Sequence, residues 1–145
     1  MPKEPEFKEN SQAVQSHLTI LQAVIQRMAT NSSSSKAWCI TLVSAILVVV
    51  ADKGRPQYAW LALIPTTLFF VLDAYYLGLE RGFRNAYNNF IKKLHQEALR
   101  PDDLFVVVPQ GGTFRLFFSS ALSFSVWPFY VTLAGMIYAA KELVI

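Results

Sequence analysis

The sequence predicts an all-α membrane protein with about three transmembrane helices, cytoplasmic helical extensions and an oligomeric, bundled assembly. Apolar residues make up 53% of the 145 residues and are concentrated in three runs, Ala37–Ala51, Tyr58–Leu79 and Leu116–Ala140. A helix needs about 20 mostly apolar residues to cross the hydrocarbon core of a bilayer. The second and third runs supply that length, and the first reaches it when it is extended into its flanking residues. Three spans are therefore predicted.

These runs divide the chain into five segments. We expect a mobile end at 1–10, a coiled-coil-like cytoplasmic helix at 11–35, the first two transmembrane helices at 36–79, a cytoplasmic helix and loop at 80–115, and the third transmembrane helix at 116–145. The first thirty residues lack the apolar core of a secretory signal peptide, so the amino terminus is expected to stay in the cytoplasm.

The Lys and Arg residues predict the same orientation, because these residues concentrate in the cytoplasmic segments of membrane proteins. With the amino terminus inside, ten of the 13 Lys and Arg residues lie on the inner side, and only Lys53, Arg55 and Lys141 lie outside. We therefore expect a protein of the bacterial inner membrane whose carboxyl terminus is outside. The formal net charge of +3 is mostly a consequence of this topology.

Two cytoplasmic helices are expected to dock on each other, and we call the docked pair the collar. The first has apolar residues at alternating spacings of four and three, namely Val14, Leu18, Leu21, Ile25 and Met28. Two heptads are too few for a helix to be stable alone in water, so this helix needs a partner. The extension of the second span offers Phe83, Tyr87, Phe90 and Leu94 at similar spacings, on a helix expected to run to about Arg100, before Pro101.

Three local features leave alternatives open. The stretch Asn31–Lys36 either caps a new helix or continues the helix before it. The strand-like run Leu104–Val108 and the turn residues after it predict either a small hairpin returning through Thr113–Phe118 or an amphipathic segment at the membrane surface. In the third span, Pro128 is expected to bend the helix axis, and the hydroxyl groups nearby either face a pore or bond to the backbone that the proline frees.

Asp73 is the strongest candidate for a functional residue because it interrupts an apolar run. A charged side chain inside a bilayer costs about 2.5–3.5 kcal/mol on insertion scales, so it needs a partner, water or a role. One hypothesis is structural, with Asp73 paired to Lys36 or to Ser32 and Ser33. The other places Asp73 in a pore or gate. On a continuous helix, Asp73 begins a stripe that leads out of the membrane through Leu77, Glu80 and Arg84.

The residues around this stripe give the other candidate sites. Small residues at every fourth position, Ala74, Gly78, Gly82 and Ala86, predict close helix packing and suggest an assembly. Glu80 and Arg84 form an i, i+4 pair, or rings of charge at a pore mouth when several copies assemble. Tyr76 and Lys36, near the predicted inner interface, complete the pore or gate candidates. The predicted ligand-binding cations are Arg81, Lys92, Lys93 and Arg100, which alternatively form a solvated face or contact lipid headgroups.

The sequence does not predict an enzyme or a cofactor. It has no HExxH motif, no glycine-rich phosphate loop and no GxSxG motif. The single Cys39 lies in the first apolar run, where it cannot form an intrachain disulfide.

Two stretches, Leu21–Ala45 and Phe69–Asn88, resemble a group of small bacterial membrane effectors of anti-phage defence systems, with weaker similarity at Ser125–Tyr130. The group is akin to the SLATT-type two-helix pore formers and in particular to the HalA channels of the Hailong system. The resemblance falls on Asn31, Ser32, Lys36, Trp38, Asp73, Tyr75, Tyr76, Glu80, Arg81, Phe83, Arg84 and Tyr87. The sequence departs from the group at Gly78 and Gly82, where larger residues are expected.

The resemblance implies an oligomeric ion channel that depolarises the inner membrane during infection, causing abortive infection. In the case of the Hailong system, it also implies a nucleotidyltransferase partner whose single-stranded DNA oligomers hold the channel closed. One subunit is too small to enclose a pore, so four or more copies are expected, and we favour a tetramer. The alternative hypothesis is a non-conducting membrane adaptor that anchors or restrains a cytoplasmic partner through the collar.

Overall fold

A computed structural model describes residues 7–143 of the chain, and all regular structure in this range is helical. The predicted mobile end falls mostly outside the described range, as do the last two residues of the chain. Four α-helices and two short 3₁₀ segments follow in order: α1 (Gln12–Lys53), a 3₁₀ segment (Pro56–Ala62), α2 (Leu63–His95), a 3₁₀ segment (Pro101–Asp103), α3 (Thr113–Ala121) and α4 (Trp127–Leu143).

Helix α1 is continuous, so the serine-rich stretch does not start a new helix. The hydroxyl of Ser35 donates to the carbonyl oxygen of Asn31 at 2.9 Å, and Thr30 makes the same bond to Gln26. Side chains that bond back in this way leave the helical backbone intact. At 1.5 Å per residue the helix is about 63 Å long, and it ends at Lys53, followed by Gly54, which has the positive φ that favours glycine.

The second long helix, α2, begins later in the chain than its apolar pattern predicts, and it also ends earlier. Pro56 starts a 3₁₀ segment that leads directly into α2. At the other end, α2 stops at His95, and Glu97 has a φ of 54°. The Ala98 N–H donates to the Lys93 carbonyl oxygen, which closes the helix before Pro101. The predicted helix end near Arg100 is therefore wrong.

Two helical stretches, Gln12–Lys53 and Pro56–His95, are long and apolar enough to cross a membrane. The prediction of a single third helix over 116–145 is wrong, because the apolar run breaks between α3 and α4. The Ser123 carbonyl oxygen accepts hydrogen bonds from Val126 and Trp127, forming the turn that separates them. Pro128 lies in the first turn of α4, where its missing N–H breaks no hydrogen bond, so it does not bend a helix as predicted.

Helices α3 and α4 together run along α2 in the opposite direction. Near the start of α3, Leu116 packs on Gly78 and Gly82 of α2. Further on, the Tyr130 hydroxyl donates to the Phe69 carbonyl oxygen at 3.0 Å, and near the end of α4 the Tyr138 ring lies 6.5 Å from that of Trp60. Helices α3 and α4 therefore lead back along α2, from its middle to the 3₁₀ segment that precedes its amino-terminal end.

Two apolar clusters hold the helices together. The larger one joins α1, α2 and α4 around Cys39, Val43, Ala74, Val126 and Ile137. The smaller one joins the two collar helices and packs Val14 against Phe90 and Leu94. The predicted docking of the collar is confirmed, although Leu18 and Ile25 are only half-buried.

The segment 104–112, which we call the strap, crosses the collar without forming a strand. The Phe105 N–H donates to Nδ1 of His17 at 2.9 Å, and the Gln110 N–H donates to the Gly82 carbonyl oxygen at 2.9 Å. The strap's backbone thus bonds to α1 and α2 rather than to itself, and the predicted hairpin is wrong. Phe105, Val106 and Val108 of the strap are exposed, and their position at a membrane surface stays a prediction.

Candidate functional site at the junction of α1 and α2

Asp73 lies at the centre of a polar cluster between the two long helices. Its Oδ1 accepts a hydrogen bond from the Ser32 hydroxyl at 2.5 Å, and its Oδ2 lies 2.5 Å from Nζ of Lys36. Ser32 and Lys36 are four residues apart, so one face of α1 presents both. The structural pairing predicted from the sequence is present, with Lys36 and Ser32 as the partners. Ser33 is exposed and takes no part.

This cluster lies next to the apolar core and is largely shielded from solvent. Asp73 is completely buried, whereas the Lys36 side chain is 21% exposed. The Tyr130 hydroxyl of α4 lies beside the same carboxylate, and Ala74 packs into the core next to it. A buried ion pair is costly to separate, because removing one partner leaves an uncompensated charge. The cluster therefore locks α1 to α2 at one level of the bundle.

Within one chain, Asp73 does not reach the surface, but the stripe that begins with it does. Glu80 is almost buried and pairs with Arg84 at 2.7 Å, as the i, i+4 spacing predicts, and Arg84 itself is 62% exposed. Tyr76 is half-buried beside Tyr75, with ring centroids 5.7 Å apart. Four of the predicted pore or gate residues, Asp73, Tyr76, Glu80 and Arg84, thus follow one side of α2, and the fifth, Lys36, lies opposite Asp73 on α1.

The small-residue face of α2 is covered by the same chain. A Cβ added at Gly82 would lie 2.8 Å from Cβ of Pro109, and one added at Gly78 would lie 3.4 Å from the Leu116 backbone. The two glycines therefore admit the strap and α3 close to α2. The close packing predicted from these residues is real, but it occurs within the chain and is not evidence of an assembly.

The predicted ligand-binding cations are divided, because Arg81 lies against α3 whereas Lys93 and Arg100 both lie beside Asp103. Arg81 turns toward α3 and donates to the Ser119 and Ser123 hydroxyls at 3.0 and 3.1 Å. Lys93 pairs with Asp103 at 2.7 Å, and this hydrogen bond holds the pKa of Asp103 below its usual value. Lys92 and Arg100 are exposed on the surface of the collar. They are the two members of the set whose position best suits contact with a dissolved ligand.

His17 is a buried collar residue that the apolar pattern missed. It is 1% exposed, its ring lies 4.2 Å from that of Phe90, and its Nδ1 accepts the strap hydrogen bond from Phe105. Burial lowers the pKa of His17, and the nearby Asp103 carboxylate opposes this shift in part. Its position midway between Val14 and Leu21 was the signal, because spacings of three and four place all three residues on one face.

A second missed feature is a cleft of amide side chains where the strap meets α2. It has a volume of about 280 Å³ and is lined by Asn85, Asn88, Asn89, Gln110 and Gly111. Asn85 donates to the Gln110 carbonyl oxygen at 3.1 Å, and Asn89 donates to the Gln110 side chain. The cleft carries hydrogen-bonding groups without charge and lies one helical turn from Lys92.

Within residues 7–143, no three His, Cys, Asp or Glu side chains come together in a way that would hold a metal ion. Comparison with protein-family models, with curated proteins and with solved structures gives no match for this chain. The functional assignment therefore depends on the residues and their geometry.

Proposed function

We propose that this chain is one subunit of an oligomeric ion channel in the bacterial inner membrane, with its amino terminus in the cytoplasm, acting as an effector of anti-phage defence by depolarising the membrane. The observation that carries this proposal is the buried Ser32–Lys36–Asp73 cluster. Polar side chains buried between apolar helices cost free energy, and in membrane proteins they mark ion pathways, gates or relays. The resemblance described above supports the defence role.

The two long helices supply the means of gating. Both α1 and α2 pass without interruption from the apolar part of the bundle into the collar. A displacement of the collar would therefore act directly on the Lys36–Asp73 pair that joins the two helices. In this mechanism the closed state keeps the pair intact and the open state separates it, so that Asp73 becomes accessible to ions.

The pore would lie between copies of the chain. The exposed side of α1 carries the small or hydroxyl-bearing residues Ser34, Ala37, Thr41 and Ser44 at spacings of three and four, on one helix face. This face is opposite the side of α1 that carries Ser32 and Lys36, so it would contact a neighbouring copy, and the pore of four copies would follow the stripe from Asp73 to Arg84. The exposed Arg84, held by Glu80, would form a ring of charge at its cytoplasmic mouth. Helices α3 and α4 would together make the third crossing, because α3 begins near Gly82 and α4 ends near Trp60.

A soluble signal would act on the cytoplasmic side. By resemblance, this signal is a nucleotide or single-stranded DNA oligomer made by a partner nucleotidyltransferase. Lys92 and Arg100 are positioned to meet its phosphates, whereas Arg81 and Lys93 contribute charge from engaged positions. Binding that depends on such contacts weakens steeply as salt rises. A ligand that prefers the closed state shifts the population toward closure by no more than its difference in affinity for the two states.

One observation favours a second candidate function. In the single chain the Asp73 carboxylate is fully buried and both of its oxygens have partners, as expected for a structural pair. A membrane adaptor that holds a cytoplasmic partner through the collar needs nothing more. The two functions differ in whether the assembled protein conducts ions.

The decisive experiment is ion flux through liposomes that contain the purified protein. Wild type is compared with Asp73→Asn and with Asp52→Asn, a matched control in the exposed last turn of α1. Each is measured with and without short single-stranded DNA on the cytoplasmic side. Flux that Asp73→Asn alters, Asp52→Asn does not, and the DNA suppresses would support a gated channel. A folded oligomer that passes no ions in any condition would favour the adaptor.

A further inference from the structure

Arg81 is a half-buried cation whose partners are neutral. Its guanidinium donates through Nη1 to the Ser119 hydroxyl at 3.0 Å and through Nη2 to the Ser123 hydroxyl at 3.1 Å. The ion pairs formed among residues 7–143 do not include it. Arg84, less than one turn further along α2, is instead neutralised by Glu80 at 2.7 Å. The charge of Arg81 is thus fixed in position without a carboxylate.

The arrangement around Arg81 suits a phosphate. A guanidinium has five N–H donors, and two are used here, so others remain for an incoming oxygen. Each serine hydroxyl accepts from Arg81 and keeps its own proton to donate. A planar guanidinium with additional hydroxyl donors matches the oxygens of a phosphate group and makes charge-assisted hydrogen bonds to it.

The surface next to these donors is strongly apolar. Phe114, Phe118 and Leu122 recur at every fourth residue along α3 and into the turn after it, and they are 81%, 61% and 77% exposed. Phe124, in the same turn as Ser123, is 85% exposed. Exposed apolar residues of this size in a continuous row favour contact with lipid over contact with water. The phosphate-binding groups and the apolar row therefore lie side by side.

We propose that Arg81, Ser119 and Ser123 bind the phosphate of a membrane phospholipid, while its acyl chains cover Phe118, Leu122 and Phe124. The inference depends on the membrane placement in the proposed function but not on ion conduction. Because Arg81 has no carboxylate partner in the described part of the chain, an anionic phospholipid such as phosphatidylglycerol is preferred over a zwitterionic one. The bound lipid would fix α3 and the break before α4 at the level of the headgroups.

Lipid binding to the purified full-length protein in a neutral detergent tests the proposal, with bound lipid counted by native mass spectrometry. The probes are phosphatidylglycerol, phosphatidylcholine, uncharged diacylglycerol and inorganic phosphate. We expect phosphatidylglycerol to bind most tightly, and Arg81→Gln to weaken it about tenfold, the loss of one charge-assisted hydrogen bond. Arg27→Gln, at an exposed position of α1, is the control for loss of one positive charge and should leave the affinity unchanged.

The same experiment can overturn the proposal. Equal weakening by Arg81→Gln and Arg27→Gln would show a diffuse charge effect. Inorganic phosphate binding as tightly as phosphatidylglycerol would show a site for a free anion and not for a lipid. If Arg81→Gln does not fold, the pair Ser119→Ala and Ser123→Ala removes the hydroxyl donors and keeps the cation, and unchanged binding would count against the site. Because the readout is bound lipid, its failure is distinct from a failure to conduct ions.

Discussion

Lys36 of α1 and Asp73 of α2 are joined by an ion pair of 2.5 Å in which the carboxylate is completely buried. Ser32, one turn before Lys36, donates to the other carboxylate oxygen. The two long helices are therefore fastened at the level where the apolar core gives way to the collar. Any motion that separates the helices here must break this pair, which makes it the natural place to look for both stability and gating.

Replacing one partner of this pair should destabilise the protein more than replacing both with apolar residues. Asp73→Asn is expected to lower the free energy of unfolding by about 3 kcal/mol, because it leaves the Lys36 charge without a partner. The double substitution Lys36→Met and Asp73→Leu should recover most of that loss. Thermal unfolding of the purified protein in detergent measures both. A double variant as unstable as Asp73→Asn would show that the pair is not the source of the effect.

Gly82 should not tolerate a methyl group. In Gly82→Ala the new Cβ would lie 2.8 Å from Cβ of Pro109, whose ring cannot rotate away, so the strap must shift. We expect a loss of about 1–3 kcal/mol in the free energy of unfolding, typical of overpacking. Gly135→Ala on α4 is the matched control, because nothing lies within 4 Å of its Cβ, and it should be neutral or gain up to about 1 kcal/mol. Similar losses from both changes would exclude close packing as the cause.

Acidification should loosen the strap through His17. Its pKa is lowered by burial, so the stability it contributes is complete above the unfolded value of about 6.5 and is lost as the pH falls through the lower folded value. Protonation also places a hydrogen on Nδ1, which then cannot accept from the Phe105 N–H. The protection factor of the Phe105 amide, which is the intrinsic exchange rate at each pH divided by the measured rate, should therefore fall below about pH 6.5.

Two variants isolate this effect. His17→Gln should remove the pH dependence in that range, whereas His95→Gln, at an exposed position, should leave it in place. Because a single proton is involved, the free energy of unfolding cannot change by more than about 1.4 kcal/mol per pH unit. The pKa of Asp103 is lowered by Lys93, so its own contribution is lost only at more acidic pH, below about 4. A protection factor at Phe105 that stays constant between pH 7 and 5 would contradict the role of His17.

The topology can be tested with single cysteines. After Cys39→Ser, a cysteine is placed at Ser11, at Gln57 or at Glu142 in separate proteins, and intact cells are treated with a thiol reagent that does not cross membranes. We expect labelling at positions 57 and 142 and protection at position 11, because the end of α4 lies next to Trp60 at the end of the bundle that carries the α1–α2 loop. Protection at position 142 together with labelling at 57 would show that α3 and α4 do not cross.

Much of the outline was accessible from the sequence. The helical class, the two apolar helices, the docking of the collar and the Lys36–Asp73 pair all follow from helical periodicity and from the cost of a charge in an apolar run. Glu80–Arg84 is equally local, since four residues place two side chains on adjacent turns. In each case either a short spacing or a strong energetic demand limits the possible partners.

The break after Ala121, the path of the strap and the partners of Arg81 were decided only by the tertiary structure. Serine and phenylalanine are compatible with a helix at 122–126, and the turn forms there because Val126 and Tyr130 pack into the core of α1 and α2. The strap bonds to His17 from 88 residues away, and Arg81 reaches Ser123 across 42. The sequence alone determined which faces must be covered, because burial of apolar surface and pairing of charge are local demands. Which segment covers them depended on contacts between distant residues, for which the local pattern carries no signal.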